Sequence, residues 1–431
     1  MESNASPPAE IQLENGLKAI LNFETHQASI SFSNSCSFPD FNFTVPNSIT
    51  YQNQEFIVTQ INKSPCEILI LSNLNFEENC QIEHIDSCAF QLFLFIKNMS
   101  IPHSIKNLEG FCGNVHIENI SISPNNSHFS VLYNGLIIKN NSQGSVENSE
   151  IIFAPRNLQS IAIPPIIKKI GDYSFQNCKQ LASVIFITNS DGTSALEEIG
   201  NYAFSNCINL RSIILPSTIK HLGVNSFGNC NQLTSIQFSE GCQLTKIPDF
   251  AFYHCSRIIS ITIPFSVRQV DRKAFSKCLK LIKVVFQPNE NGQSAIEHID
   301  PNSFSYCPKL LAITIPQPNN YFSVLQNGII IYNKSILFVP RHLNNVVIDN
   351  DIKSISNYAF QDCRHLKSVV FNVDVVDEIG DFSFMNCISL TSIILPASIK
   401  KIGKGAFLNC KKLQSVVLPD QLVEIGCSAF R

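Results

Sequence analysis

One phenylalanine recurs along this chain in nearly constant surroundings, and no other feature of the sequence limits the fold as much. The anchor phenylalanines are Phe175, Phe204, Phe227, Phe252, Phe275, Phe304, Phe360, Phe384, Phe407 and Phe430, with weaker copies at Phe90 and Phe111. Successive gaps between the ten anchors are 29, 23, 25, 23, 29, 56, 24, 23 and 23 residues, so the unit is 23 residues with insertions. A fixed period of this length is typical of solenoids, in which each unit stacks on its neighbour.

The positions around the anchor keep one chemistry in almost every copy. Aliphatic residues stand eight and five positions before it and six positions after it, and the residue just before it is always Ala or Ser. Many copies then end like residues 210–216 (LRSIILP), an alternating run stopped by proline, which predicts a short β-strand. Because one such strand cannot bury its apolar side alone, we expect the copies to stack ~4.8 Å apart as a parallel sheet.

Composition excludes several classes of function. The 431 residues carry 31 basic and 34 acidic side chains, which gives no electrostatic reason to expect a nucleic acid or an anionic membrane as partner. The 32 phenylalanines favour burial over disorder. No Walker loop, G-x-S-x-G or H-E-x-x-H motif occurs, so we expect neither an enzyme nor a cofactor.

The repeat consensus is Ile-x-x-Ile-Gly-x-x-Ala-Phe-x-x-Cys-x-x-Leu-x-Ser-Ile-x-Leu-Pro, and it resembles the BspA-like leucine-rich repeats of oral bacteria and mucosal parasites. Residues 196–216 (LEEIGNYAFSNCINLRSIILP) are a nearly perfect copy, and the resemblance extends over roughly residues 82–431. It implies a β-rich, right-handed leucine-rich-repeat solenoid with a parallel sheet and short turns or 3-10 segments. It also implies surface attachment and protein binding, without enzyme chemistry. Residues 16–61 are similar to the strand-rich cap that opens such chains.

The two largest gaps hold a second motif. Residues 129–138 (FSVLYNGLII) and 322–331 (FSVLQNGIII) each place Asn-Gly between apolar runs, a strong signal for a β-hairpin. They are similar to the β-hairpin insertions of BspA-like arrays. The predicted organisation is a cap (1–80), degenerate repeats (81–124), a hairpin insertion (125–165), leucine-rich repeats (166–316), a second hairpin insertion (317–350) and further repeats (351–431). After each hairpin, Arg156 or Arg341 is interpreted as a surface arginine that caps a turn, with anion binding as the alternative.

Cysteine follows the same period. Nine of the 16 cysteines lie three residues after an anchor: Cys178, Cys207, Cys230, Cys255, Cys278, Cys307, Cys363, Cys387 and Cys410. We interpret this cysteine column as buried thiols that bond neighbouring backbone groups, since one cysteine per coil has no partner within its coil. A disulfide ladder or metal ligands are the alternative, although C-x-x-C is absent. The irregular cysteines are Cys36, Cys66, Cys80, Cys88, Cys112, Cys242 and Cys427, of which the first four would pair in a secreted protein.

Two insertions resemble calcium loops. Asn189, Asp191, Gly192 and Glu198 match four positions of an EF-hand loop, and a twin insertion ends at His298. The first ligand position would be Ile187, which cannot coordinate a cation. A glycine-containing surface turn explains both insertions, and we predict no metal site.

The outward face of the sheet is the candidate partner surface. Its predicted residues, one per strand, are Ile185, Ile214, Gln237, Thr262, Val285, Thr314, Val370, Ile394 and Val417. Beside them runs a column of serines. Strands favour Val and Ile on either face, which is one explanation of the aliphatic residues. The other is an exposed apolar stripe that binds a protein partner.

The leading prediction is therefore a non-enzymatic leucine-rich-repeat protein that binds another protein, by the resemblance in cell-surface adhesion or host interaction. The alternative is an intracellular repeat scaffold, because residues 1–10 lack the features of a signal peptide and no apolar run is long enough to span a membrane. The sequence stops within a repeat at Arg431, which predicts end-to-end self-association at the C-terminal coil or a truncated gene product.

Overall fold

The computed structural model describes residues 9–13, 16–33, 42–63, 69–86, 89, 93–94, 96–108, 117–141, 143–190, 192–349, 352–372 and 374–431. The chain divides into two compact units, Met1–Asn209 and Leu210–Arg431. Both units are built from stacked coils. The one helix in the described residues is the 3-10 turn Tyr133–Gly135.

A complete coil carries two strands joined by a tight turn that holds the anchor phenylalanine. We call them the long strand, of three or four residues, and the short strand, usually of two. The long strands of the second unit are Ser212–Leu215, Ser235–Phe238, Ser260–Ile263, Lys283–Phe286, Ala312–Thr314, Asn345–Ile348, Ser368–Phe371, Ser392–Ile394 and Ser415–Val417. Its short strands are His221–Leu222, Lys246–Ile247, Gln269–Val270, His298–Ile299, Ser354–Ile355, Glu378–Ile379, Lys401–Ile402 and Glu424–Ile425.

The coils pair in parallel and in register, as the repeat predicts. Ser212 lies opposite Ser235, and Ile213 lies opposite Ile236, so equal positions of successive repeats are neighbours. The second and fourth residues of Ser212–Leu215 are buried, whereas the first and third are exposed. The β-rich solenoid with parallel sheets predicted from the sequence is confirmed.

The anchor rings form stacked columns inside the coils. In the second unit, Phe227, Phe252, Phe275 and Phe304 stack with centroid separations of 5.3–5.5 Å, in the offset range that aromatic pairs prefer. A second column runs through Phe360, Phe384, Phe407 and Phe430 at 4.5–5.1 Å. In the first unit, Phe175 stacks on Phe204 at 4.8 Å.

Hydrogen bonds between turns explain the small residue before each anchor. The amide of Phe227 donates to the carbonyl of Ala251 at 2.9 Å, and Ala251 directly precedes the next anchor. Ser226 and Ala251 are fully buried, so a larger side chain there would separate the coils. Asn225 and Asn229, on either side of Phe227, adopt left-handed backbone with φ of 55° and 60°, which asparagine tolerates better than most residues.

The first unit begins with antiparallel pairing and changes early to parallel pairing. Ala9–Gln12, Leu17–Asn22 and Gln27–Phe32 form an antiparallel meander, and Ser48–Tyr51 pairs antiparallel with Gln54–Ile61. Parallel ladders follow, of which one joins the long strands Asn42–Val45, Asn73–Phe76, Asn98–Ile101 and Asn119–Ile122. Apart from the strands of its insertion, the other strands of the first unit are Leu69–Ile70, His84–Ile85, Phe93–Leu94, Asn107–Leu108, Ser160–Ile163, Ile167–Ile170, Ser183–Phe186 and Glu198–Ile199. Parallel pairing thus starts within the range predicted as the cap.

Both insertions are three-stranded antiparallel meanders attached to a coil. They consist of Phe129–Val131, Ile137–Lys139 and Ser149–Phe153 in the first unit, and of Phe322–Val324, Ile330–Tyr332 and Ser335–Phe338 in the second. The last strand of each pairs in parallel with a coil strand, so the meander extends the short-strand sheet. The Asn-Gly turns lie where predicted, with Gly135 at φ 73° and Gly328 at φ 81°.

The interpretation of Arg156 and Arg341 as surface residues or anion sites is wrong, because both side chains are buried at 6% and 5% exposure. In these two coils the anchor position is taken by Ala154 and Val339, whose amides donate to the next turn as anchor amides do. No anchor ring is present there. The guanidinium, two residues further on, folds inward instead and lies 4.9–5.0 Å from a neighbouring phenylalanine ring.

The two arginines make the same hydrogen bonds. Nη1 of Arg156 donates to the carbonyls of Ala154 and Ser174 at 3.0 and 2.7 Å. Nη1 of Arg341 donates to the carbonyls of Val339 and Ala359 at the same distances. We call this arrangement the arginine plug, since it closes the core where the anchor ring is missing.

Candidate functional site

The nine residues predicted for the partner surface all occupy the third position of a long strand. Eight of them are exposed and Val285 is half-buried. Ile394 and Val417 are 81% and 78% exposed, the largest values in the set. Parallel pairing places neighbours side by side, for example Ile214 with Gln237 and Thr262 with Val285.

These positions do not form one continuous apolar row. In the second unit the column is polar at Gln237, Thr262 and Thr314. It becomes aliphatic over four successive coils, where Val347 pairs with Val370 and Ile394 pairs with Val417. We call these four residues, Val347, Val370, Ile394 and Val417, the apolar stripe.

Val347 was not among the predicted residues. It is 47% exposed, as Val370 is, and it stands in the same outward position of its strand. The signal is present in the sequence, because Asn345–Ile348 (NVVI) has the pattern of Ser368–Phe371 (SVVF). It was missed because the coil of Val347 has the arginine plug in place of an anchor phenylalanine.

The short-strand face differs from the long-strand face in that opposite charges pair across its coils. Lys169 lies 3.3 Å from Glu150 and 3.4 Å from Glu198, and Lys401 lies 3.1 Å from Glu378. Burial lowers the pKa of Lys169, but attraction to Glu150 and Glu198 outweighs it, and the pKa is raised. Both lysines are thus paired with carboxylates of neighbouring coils.

On the first four long strands of the first unit, Asn42–Val45, Asn73–Phe76, Asn98–Ile101 and Asn119–Ile122, the outward face is polar and carries an asparagine ladder. Asn73 donates to Asn42, Asn98 donates to Asn73 and Asn119 donates to Asn98, at 2.5–3.0 Å. The third positions of these strands are Thr, Asn and Ser. Asn42, Asn98 and Asn119 therefore begin Asn-x-Ser/Thr sequons simply because the first and third strand positions both face outward.

The cysteine column lies inside the coils and is hydrogen-bonded to the backbone. The thiol of Cys255 donates to the carbonyl of Phe227 at 3.1 Å, and the thiol of Cys387 donates to that of Phe360 at 3.2 Å. Within the first unit, Cys207 donates to Phe175 at 3.2 Å. Eight of the nine are buried and Cys410 is half-buried. At least eight of the nine thiols donate to a carbonyl of the preceding coil, so the column links neighbouring coils.

Burial also determines the chemistry of these thiols. It raises the pKa of Cys255 to about 12, and it raises the pKa of Cys178 despite the nearby Arg156. A thiol that resists ionisation is a poor nucleophile. Among the irregular cysteines that the structure describes, Cys80 and Cys242 are buried free thiols and Cys427 is exposed. The predicted pairing of Cys80 is therefore wrong. Cys36, Cys66, Cys88 and Cys112 lie outside the described residues, so pairing among Cys36, Cys66 and Cys88 stays a prediction.

The two calcium-like insertions form turns. The amide of Gly192 donates to the carbonyl of Asn189 at 2.9 Å, and Glu198 pairs with Lys169. In the twin insertion the side chain of Asn289 accepts from the amides of Asn291 and Gln293 at 3.0 and 2.8 Å. Asp191 lies outside the described residues. Across the residues that are described, no cluster of three or more potential metal ligands occurs.

The repeat matches a known family model. This model, the BspA type leucine rich repeat region in six copies, matches residues 146–282, 241–326 and 331–431, more than half of the chain. The chain belongs to the BspA-type leucine-rich-repeat family. This is a family of repeat proteins that are generally non-enzymatic, and the BspA-type repeat is consistent with protein–protein interaction.

Solved structures similar to this BspA-type chain include three bacterial proteins. One is a leucine rich cell surface protein of Faecalibacterium prausnitzii A2-165, at 19% identity over 96% of this chain and 84% of that chain, with a TM-score of 0.44. Another is the pneumococcal vaccine antigen PcpA, at 17% identity over 96% and 82%, with a TM-score of 0.44. A leucine-rich repeat protein of Eubacterium ventriosum is 16% identical over 74% and 99%, with a TM-score of 0.49.

No curated protein matches the sequence significantly. In the described part of this BspA-type chain, no helix has the length and apolar character needed to span a membrane.

Proposed function

We propose that this BspA-type chain is a binding protein that contacts another protein through the apolar stripe of its second unit, in cell-surface adhesion or host interaction. The observation that carries the proposal is the row of four aliphatic side chains, 47%, 47%, 81% and 78% exposed, on successive long strands. Binding of a partner that covers an apolar row is favoured by ~25 cal/mol per Å² of apolar surface removed from water. Contiguous exposed patches of this kind usually mark partner surfaces.

The polar residues of the same column support this interpretation over simple strand propensity. Gln237, Thr262 and Thr314 stand in the same strand position as Ile394, and their strands pair in the same way. The fold therefore does not require an aliphatic residue there. Strand propensity alone accounts for isolated Val and Ile, but not for their concentration in four successive coils.

Paired charge substitutions test the stripe. In Val370→Asp with Ile394→Asp, we expect the labelled protein to lose binding to cultured epithelial cells, measured by flow cytometry. The matched control, Gln237→Asp with Thr262→Asp, places the same charges in the same column outside the stripe and should bind as the unmodified chain does. Equal thermal unfolding midpoints would show that both variants fold. Unchanged binding by the stripe variant would contradict the proposal.

Surface location rests on the family resemblance. The second candidate, an intracellular scaffold, is favoured by the buried free thiols of the cysteine column, which suit a reducing compartment. Antibody labelling of intact and permeabilised cells separates the two. Labelling of intact cells supports surface location, whereas labelling only after permeabilisation supports the scaffold.

A further inference from the structure

A second exposed surface lies on the second unit, just before three successive long strands. Residues 257–259 (RII), 280–282 (KLI) and 309–311 (KLL) repeat one motif, a basic residue, a buried aliphatic residue and an exposed aliphatic residue. The exposed aliphatic residues Ile259, Ile282 and Leu311 are 52%, 39% and 41% accessible. We call the six outer residues the basic–apolar ladder: Arg257, Lys280, Lys309, Ile259, Ile282 and Leu311.

Backbone hydrogen bonds hold the ladder at the spacing of a sheet. The amide of Ile282 donates to the carbonyl of Ile259 at 2.7 Å, and the amide of Leu311 donates to that of Ile282 at 2.9 Å. The three aliphatic side chains therefore form a row with a repeat of ~4.8 Å, and the basic residues form a second row beside it. Among the described residues of this unit, Arg257, Lys280 and Lys309 have no carboxylate within ion-pair distance.

The ladder is local to these three coils. The position of Ile282 is occupied by Thr234 in the coil before the ladder, and by Lys367, Thr391 and Gln414 in later ones. Neither of the two rows contains an acidic residue in any of the nine complete repeats. The ladder thus has one sign of charge, and it is separate from the apolar stripe, which begins at Val347.

A cavity of about 280 Å³ adjoins the last coil of the ladder. Its lining includes the apolar residues Ile282, Pro308 and Leu311 and the basic residues Lys309 and Arg364. Its one carboxylate, Asp362, is 5% exposed and accepts hydrogen bonds from Arg364 and Asn386. The cavity can take an apolar side chain, its one carboxylate is already paired with Arg364, and Lys309 adds a positive charge.

We propose that the basic–apolar ladder binds an acidic amphipathic helix of a partner protein. In an α-helix, residue i+3 lies ~4.5 Å along the axis from residue i, and residue i+7 lies ~6 Å beyond residue i+3. Both steps are close to the ~4.8 Å spacing of successive coils, so three side chains on one helix face can each contact one coil of the ladder. In an extended peptide, successive side chains on the same face are ~6.7 Å apart. After two such steps, the third side chain would lie almost 4 Å beyond the third coil, because two coil spacings of ~4.8 Å are shorter. Carboxylates beside the apolar residues of the helix meet Arg257, Lys280 and Lys309, as in other helix-in-groove contacts.

Fluorescence anisotropy with a designed peptide tests the proposal on the full chain. The probe is a fluorescein-labelled peptide of about 16 residues, long enough to populate helix, with leucines in one helical stripe flanked by glutamates. We expect it to bind, and we expect added salt to weaken binding. Replacing its glutamates by lysines should abolish binding.

Two variants and one control locate the binding. Lys280→Glu with Lys309→Glu, and separately Ile282→Ser with Leu311→Ser, should each weaken binding at least tenfold. Lys411→Glu with Lys412→Glu makes the same change in net charge in a coil that has Gln414 at the aliphatic position, and it should bind as the unmodified chain does. If one variant fails to fold, the other decides. The proposal is overturned by no binding of the acidic peptide, by equal binding of the lysine peptide, or by equal loss in the control.

Discussion

Arg156 and Arg341 each replace an aromatic ring with a guanidinium in the core. Each stacks on a phenylalanine and donates to two carbonyls that lie on successive turns. A planar group with several donors can do this, whereas lysine has only a compact ammonium at the end of a flexible stem. The arginine plug is therefore specific to arginine.

Substitution of Arg341 by alanine should lower the free energy of unfolding by ~2–4 kcal/mol, since it removes charge-assisted hydrogen bonds and a desolvated cation–π contact. Arg341→Lys should recover less than half of this loss. The measurement is the midpoint of urea unfolding, with the exposed Arg257→Ala as control, for which a change within ~0.5 kcal/mol is expected. A lysine variant as stable as the unmodified chain would show that charge alone suffices.

The plug also marks a limit of sequence reasoning. An arginine after proline, between two repeats, has the appearance of a surface residue. Its burial follows only from the register, in which Ala154 and Val339 take the anchor position and leave a ring-sized gap. That register depends on hydrogen bonds between turns distant in sequence, and no local pattern encodes it.

The coil is the repeating element. In its strands, side chains alternate between the inside and the outside, and this alternation can be predicted from the sequence. Alternation placed Ile213 and Leu215 inside and Ile214 outside, and the structure has them there. The same rule holds for Asn345–Ile348, but the sequence alignment relied on the anchor ring and so passed over Val347. The repeat predicted the elements and their faces, while interruptions of the repeat hid part of the candidate surface.

Removing an anchor ring should destabilise neighbouring coils as well as its own. Phe227 is fully buried and stacks on Phe252 at 5.5 Å, so Phe227→Ala should cost ~3–5 kcal/mol through lost contacts and a cavity. Phe265 is 38% exposed and outside the column, which makes Phe265→Ala a matched control with a change below ~1 kcal/mol. Thermal unfolding followed by circular dichroism measures both. An unaltered midpoint for Phe227→Ala would refute the shared core.

At the scale of the whole molecule, the buried thiols make the free energy of unfolding depend on pH in the alkaline range. Burial raises the pKa of at least five of them, Cys178, Cys255, Cys278, Cys363 and Cys387, above the ordinary value of 9.0. Below pH 9 both the folded and unfolded chains keep these protons, so stability does not depend on them. Above pH 9 the unfolded chain loses the protons and the folded chain retains them, which favours unfolding.

We therefore expect the unfolding midpoint to stay nearly constant from pH 7 to about 8.5 and to fall steeply from about pH 9 to 11. Each such thiol contributes up to ~1.4 kcal/mol per pH unit in this window. Urea titrations in the presence of a reducing agent measure the slope. Cys255→Ala should make the slope shallower, because the pKa of Cys255 reaches about 12 in the fold. A profile that is flat to pH 11 would be incompatible with this linkage.

The arginine plug has a practical consequence for protein engineering. Because it seals the coil from within, the tip of the second meander, where Gln326 and Asn327 are exposed, contributes nothing to the core. The amide of Leu325 donates to the carbonyl of Ile329 at 2.9 Å, which closes the tip at its base. We expect a foreign epitope grafted between Gln326 and Asn327 to be displayed in solvent without disturbing the core, so that the solenoid serves as a presentation scaffold.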